Sequence, residues 1–216
     1  MSQRSKRLPR AVREQQMIDA AIQVFSERGY HSAIVTEIAE RAGVSKPMVY
    51  LYLGSKEDLF LACVRSCARE LTAALQEYAR PELTPEQRLW QGLTAFFTFV
   101  ADYPERWNVL YQQAAKHGST IAAGVAEARD QILLDVTRLV RDDPATGQQT
   151  PPDRTRMSDK EAEFVARALV GAADSLTDWM RSYPDEGPEQ VTRRLMTMVW
   201  VGMGNAHAGQ IWSPPG

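Results

Sequence analysis

The chain has 216 residues, 44% of them hydrophobic, enough to bury a substantial core in one or two domains. No apolar run reaches the ~18 to 20 residues that span a bilayer, and the first ten residues, MSQRSKRLPR, lack the apolar core of a secretion signal; a cytoplasmic protein without a membrane anchor is expected. The formal charge of −2 is unevenly spread: residues 1–56 hold nine Lys/Arg against five acids, +4, so the other 160 carry −6, the field of a protein that meets phosphate with one end.

In chain order, Arg4 to Arg10 is a basic stretch, either an arm for an adjacent minor groove or a solvated terminus. Arg13 to Arg28 puts Ile18, Ala21, Ile22 and Phe25 on one helical face, and Gly29 ends that helix. Ile38, Ala39 and Ala42 form the apolar stripe of a short second helix, with Glu37, Glu40 and Arg41 turned outward. Gly43 turns the chain, since a helix ends in the left-handed conformation without penalty only where Cβ is missing. Val44 packs under that turn, Ser45 is the next N-cap, and Pro47 sits in the first turn of a third helix, Lys46 to Leu53, which stops at Gly54. Ser55 and Asp58 make a capping box for a fourth helix running to about Ala79. Cys63 and Cys67 lie four apart on it, side by side, which disfavours a strain-free disulfide; they read as small core residues, with a thiol sensor or half a metal site as the alternative.

Thr84 to Gln87 is a capped start for a fifth helix through Ala101, and Pro104 opens a short sixth through Ala115. A seventh covers Ile121 to Arg141, and Asp142 to Pro152 is a loop by composition. Ser158 and Glu161 form a further capping box, starting an eighth helix to about Ser182; Pro188 starts the last, ending near Ala206 before a frayed SPPG tail. With no strand-like alternation and no repeat, the fold class is all-α, about nine helices.

Two short helices on a tight glycine turn read as a helix-turn-helix that presents its second helix to a major groove. Val49 and Leu53 look inward by spacing, leaving Ser45, Lys46, Pro47, Met48, Tyr50, Leu51 and Tyr52 around them. Lys46 can reach guanine O6/N7, and Met48 or Leu51 a thymine methyl. The hydroxyls of Tyr50 and Tyr52 and the ammonium of Lys56 suit phosphate oxygens.

Arg13 to Leu61, above all the order I-A-x-x-A-G-V-S-K-P-x-V-Y-x-Y-x-x-S-K-E-x-L from Ile38 to Leu59, resembles the TetR family of transcriptional repressors. The resemblance implies a three-helix DNA-binding head and a larger helical body that binds a small molecule and dimerises. Divided so, the DNA-binding domain is 1–56 and the ligand-binding and dimerisation domain 57–216. By resemblance, Lys46, Pro47, Met48, Tyr50 and Leu51 map onto the groove-reading helix, and Tyr50, Tyr52 and Lys56 onto backbone contacts. One position departs: Ile34 stands where the family usually has a capping Ser or Thr, and an Ile cannot cap, leaving Thr36 or Ser32 as substitutes for that phosphate contact. Tyr52-Leu53 in place of the commoner His/Tyr-Phe is a milder change.

Phe164, Ala168, Gly171, Ala172 and Ser175 form a small-residue strip on the eighth helix, and Met196, Val199, Trp200 and Met203 supply bulky partners on the ninth. In the family these two helices from each subunit build a four-helix dimer bundle, and a homodimer suits a palindromic operator in double-stranded DNA. The body is rich in aromatics, Phe99 among them; Trp90, Leu93, Phe96, Phe97, Val100, Trp107, Tyr111, Leu176 and Trp179 lie around what the resemblance makes the effector cavity. Asn108, Gln112, Gln113, Asp174 and Asp178 are polar groups able to orient a guest. No charged cluster marks a strongly charged effector, so a hydrophobic or amphipathic molecule such as a fatty acyl compound is expected. The expected function is a repressor released from its operator by that effector.

Two other classes compete. An enzyme lacks support: His31, His117 and His207 are isolated, and there is no nucleophile elbow, phosphate-binding glycine loop or metal-ligand spacing, so no metal or cofactor is expected. A helical protein-interaction adaptor leaves the basic head without purpose.

Overall fold

A computed structural model describes residues 9–78, 80, 82–113, 119–140 and 158–207. These contain nine α-helices and no strand: α1 Arg10–Ser32, α2 Val35–Arg41, α3 Lys46–Leu53, α4 Lys56–Gln76, α5 Pro85–Asp102, α6 Pro104–Trp107, α7 Ser119–Val140, α8 Asp159–Ser182 and α9 Pro188–His207, with a π-helical turn, Asn108–Gln113, between α6 and α7. No helix among them is long and apolar enough to cross a membrane. The expected 142–152 loop, the SPPG tail and most of the basic arm lie outside the described residues.

Local chemistry sets the helix starts. The Ser55 backbone N–H donates to Asp58 Oδ2 (2.9 Å) and the Asp58 N–H returns to Ser55 Oγ (3.1 Å), satisfying two donors left over at the start of α4. Thr84 and Gln87 do the same for α5, as do Ser158 and Glu161 for α8. Gly29, Gly43 and Gly54 all have positive φ, 74°, 65° and 73°. Gly29 kinks α1 rather than ending it: one more turn follows to Ser32, and the Ala33 N–H donates back to the Gly29 carbonyl. The sixth helix was expected as a single α-helix to Ala115; instead it widens to π geometry after Trp107. A 3.6-residue apolar pattern does not distinguish the two, and tertiary bonds described below hold the widened turn.

By packing, the chain forms two compact units, with divisions inside α4 after Glu70 and inside α7 after Arg129. The first unit contains α1 to α3, most of α4, α6, the π turn and the start of α7. Its core joins Phe25, Ile22, Ile38, Val49, Phe60, Cys63, Val64, Trp107 and Leu110, all buried, each large apolar side chain contributing roughly 1.5–3 kcal/mol on burial. Phe60 meets Phe25 and Tyr30 edge-on, both at 5.1 Å between ring centres. Cys63 and Cys67 are fully buried within this core, and burial pushes both thiols up, Cys67 to about 12. Both sit at 0% exposure among apolar side chains, as small core residues do. The second unit contains the end of α4, α5, the rest of α7, α8 and α9; α5 packs on both α8 and α9. Leu93, Phe97, Val100, Leu169, Ala173, Met180, Val191 and Leu195 form its core.

Candidate nucleic-acid interface

The helix-turn-helix is held from beneath by apolar contacts and from the side by charge. Val35, Ile38 and Ala39 of α2 and Val49 and Leu53 of α3 are buried. Arg41 of α2 clamps Glu27 of α1 with two parallel bonds, 2.8 and 2.7 Å, and also reaches Glu37 at 2.8 Å. The Arg41 hydrogen bond holds Glu27 below the usual carboxylate range. An exposed pair alone is worth little, but a bidentate clamp within a network fixes α2 against α1. Asp58 likewise sits below the usual range, chiefly through its bond from the Ser55 hydroxyl.

What this scaffold exposes is the outer side of α3. Leu51 is 77% exposed and Tyr50 43%, with Ser45, Lys46 and Pro47 also facing solvent and Met48 half-buried. Leu51, between the two tyrosines, contributes nothing to the core beneath α3, which Val49 and Leu53 fill. Lys46 Nζ lies 6.0 Å from the Tyr50 ring, one turn away. Ser45 stands at the N-cap of α3 with extended backbone, and its hydroxyl makes no capping bond. Thr36 is exposed on α2.

Tyr52 and Lys56 are more engaged than their spacing suggested. Tyr52 is half-buried, with the Arg10 guanidinium 5.0 Å above its ring. Lys56 Nζ donates to the His31 carbonyl at 3.1 Å and lies 4.9 Å from the Tyr30 ring; burial lowers its pKa. Arg10, Tyr30 and His31 therefore belong to this region although no motif marks them, because they arrive from α1 by folding. Ile34 occupies the N-cap of α2 with extended backbone and no capping bond, and is 61% exposed.

The residues expected at the effector site divide between the units. Trp107 and Tyr111 belong to the first and stack at 3.8 Å with 25° between planes. Trp90, Leu93, Phe96, Phe97, Val100, Leu176 and Trp179 belong to the second, where Leu93, Phe97 and Val100 are buried and the others half-buried. Phe96 and Phe97 meet edge-on at 5.1 Å, and Trp179 leans on Tyr183 at 4.8 Å. Asn108 is committed elsewhere: its Nδ2 donates to the Ser26 hydroxyl (3.0 Å) and carbonyl (3.2 Å), tying the π turn to α1. Asp178 pairs with Arg181, and the side chains of Gln112 and Gln113 lie outside the described residues.

Of the expected dimer residues, Phe164, Ala168, Gly171 and Ser175 face solvent along α8, Phe164 with 74% of its surface, and Ala172 is half-buried. Met196 packs inside the chain, Val199 and Trp200 are half-buried, and the Met203 side chain lies outside the described residues. Met198, passed over in the sequence, is a large apolar residue that α9 exposes, at 79%.

Residues 17–63 match the model of bacterial regulatory proteins of the tetR family, and residues 85–202 that of the tetracyclin repressor-like C-terminal domain. Among curated proteins the chain is similar to the HTH-type transcriptional activator FasR of Mycolicibacterium smegmatis, 28% identical over 94% of this chain and 88% of that one. It is also similar to the fatty acid metabolism regulator protein of Bacillus subtilis, 31% identical over 40% of this chain and 44% of that one. A TetR-like transcriptional regulator from Rhodococcus sp. RHA1 superposes with a TM-score of 0.71 at 34% identity, covering 92% of this chain and 99% of that one. The family and these relatives are regulators, which sets aside the enzyme and adaptor alternatives. A helix-turn-helix with an exposed reading helix, continued by a matching C-terminal domain, places the chain in the TetR family as a DNA-binding transcriptional regulator.

Proposed function

We propose that the chain acts as a cytoplasmic homodimeric repressor that reads a palindromic operator through α3 and leaves it when a hydrophobic or amphipathic effector, of fatty acyl type, enters the helical body. On this reading 1–56 is the DNA-reading part and 57–216 the effector and dimerisation part. The observation that carries the DNA assignment is the solvent-facing set Lys46, Tyr50 and Leu51 on α3, above the buried Val49 and Leu53 that seat the helix.

Support for the dimer comes from α8. Phe164, Ala168, Gly171 and Ser175 recur at i, i+4, i+7 and i+11 and all face solvent. A Cβ built on Gly171 would meet nothing within 4 Å, so a partner backbone could approach there. Support for an acyl effector comes from the aromatic content of α5, α6 and α8 and from the name of the Bacillus relative, a fatty acid metabolism regulator. The name of the Mycolicibacterium relative, an activator, favours a second reading in which operator occupancy raises transcription. Both share the same release step and differ only in where the operator lies relative to the promoter.

An effector releases DNA only by favouring a conformation whose two heads no longer match successive major grooves, about 34 Å apart. Coupling is reciprocal, so operator DNA must weaken effector binding by the same factor. Selection from random DNA should return an inverted repeat, and long-chain acyl compounds should lower affinity for it in an anisotropy titration. Binding that shows no sequence preference, or acyl compounds that bind tightly and leave DNA affinity unchanged, defeats the reading. A promoter fusion then separates repression from activation.

A further inference from the structure

Two arginines in the first unit carry a buried Nε without an acceptor, Arg106 and Arg129. Their surroundings differ. Arg106 spends its charge on two carboxylates, Asp19 and Glu70. Arg129, on α7, makes one hydrogen bond, Nη2 to the Tyr111 carbonyl at 3.2 Å, and pairs with no carboxylate among the described residues. Its guanidinium lies 4.3 Å from the centre of the Tyr111 ring, whose own ring stacks on Trp107.

A half-buried guanidinium without a counter-charge is expensive to keep, and a buried N–H without an acceptor adds to that cost. Stacking on an aromatic ring recovers part of it, and beside the bonded Nη2 it leaves the Nε–H in the guanidinium plane without an acceptor, a donor of the kind that grips a planar oxyanion. We propose that Arg129 receives the oxyanion end of an amphipathic effector, a carboxylate or phosphate attached to an aliphatic chain, with the nearest carbons of the chain against Tyr111. This deepens the effector reading above and rests on it. No charged cluster in the sequence marks this position: a single arginine in a helix of mixed charge gives no signal until folding sets it on Tyr111.

The test uses the full chain and three probes of one chain length below their micellar limits: dodecanoate, dodecyl phosphate and 1-dodecanol, titrated by calorimetry. Wild type should bind at least one of the two anions tenfold or more tighter than the alcohol, the preferred anion identifying carboxylate or phosphate. Arg129→Gln should reduce that anion's affinity about tenfold while moving the alcohol's by less than twofold. Equal affinity of wild type for all three, or an anion preference that survives Arg129→Gln, overturns the assignment of Arg129 and leaves the acyl reading standing. Binding of none of the three overturns the acyl reading and this inference with it. Should Arg129→Gln fail to fold, Arg129→Lys, which keeps the charge and loses the planar fork, takes its place: the anion preference should shrink, and an unchanged preference overturns the assignment.

Discussion

Arg106 donates to the Asp19 carboxylate at 3.1 Å while its other terminal nitrogen donates to Glu70 at 3.0 Å. One residue of α6 thus holds α1 and α4, and Gln15 and Ser66 extend the network, Gln15 to Asp19 (3.1 Å) and Ser66 to Glu70 (3.2 Å). Burial acts to lower the Arg106 pKa, but Glu70 and Asp19 outweigh it and the net shift is upward, so the charge is fixed. Asp19→Asn should cost at most about 1.5–3 kcal/mol, the range for a hydrogen bond to a charged group, since the Asp19 side chain is 44% exposed and water screens the pair. At about 2–4 °C of melting temperature per kcal/mol for a chain of this size, the loss is easily resolved. A double-mutant cycle with Arg106→Met should show coupling beyond about 0.5 kcal/mol; additive effects would mean that the contact carries no energy.

Lys46 and Lys56 should fail differently. Lys46→Ala removes an exposed candidate for a base edge and should relax preference at one operator position, at roughly 1–3 kcal/mol. Lys56→Ala should weaken all sequences alike and lower the salt slope by about one unit. Lys56 also gives up its bond to the His31 carbonyl, so a small drop in melting temperature should accompany the change. Equal loss on specific and random DNA for Lys46→Ala would move it from base reader to phosphate contact.

Ile34→Thr should be a gain. The N-cap of α2 already has the extended backbone a cap requires, φ −113° and ψ 124°, but no side-chain acceptor. A threonine hydroxyl there should add about 1 kcal/mol and remove an exposed apolar side chain. It should also tighten operator binding by supplying a phosphate donor. Unchanged melting and unchanged affinity together would show that α2 needs no cap.

Gly171→Trp tests assembly at an exposed position of α8 where an added Cβ meets nothing within 4 Å. Sedimentation should show monomers with unaltered helicity, and operator affinity should fall because the half-sites are no longer read together. A wild-type chain that is monomeric at micromolar concentration removes the premise.

The head was legible because its punctuation is local. Gly43, Gly54, the Ser55–Asp58 box and the Val49/Leu53 spacing each act within one turn, and the structure has them as expected. What the sequence concealed arrives from far along the chain. Lys56 meets His31, Arg10 meets Tyr52, Arg106 meets Asp19 and Asn108 meets Ser26, at separations that no periodicity reports. The aromatic residues show the same limit: Phe97 is fully buried, so replacing it tests the core as much as any ligand, whereas half-buried Trp90 and Phe96 are the better probes of an effector.

Leu51→Glu tests the central claim most directly. Leu51 is the most exposed large apolar side chain of α3 and serves no core, so an acid there should leave folding intact while setting a negative charge against the groove. Measured by anisotropy on the selected operator at fixed salt, affinity should fall at least 100-fold while the melting temperature stays within about 2 °C of wild type. Operator binding that survives this substitution in a folded protein would contradict the assignment of α3 as the reading helix.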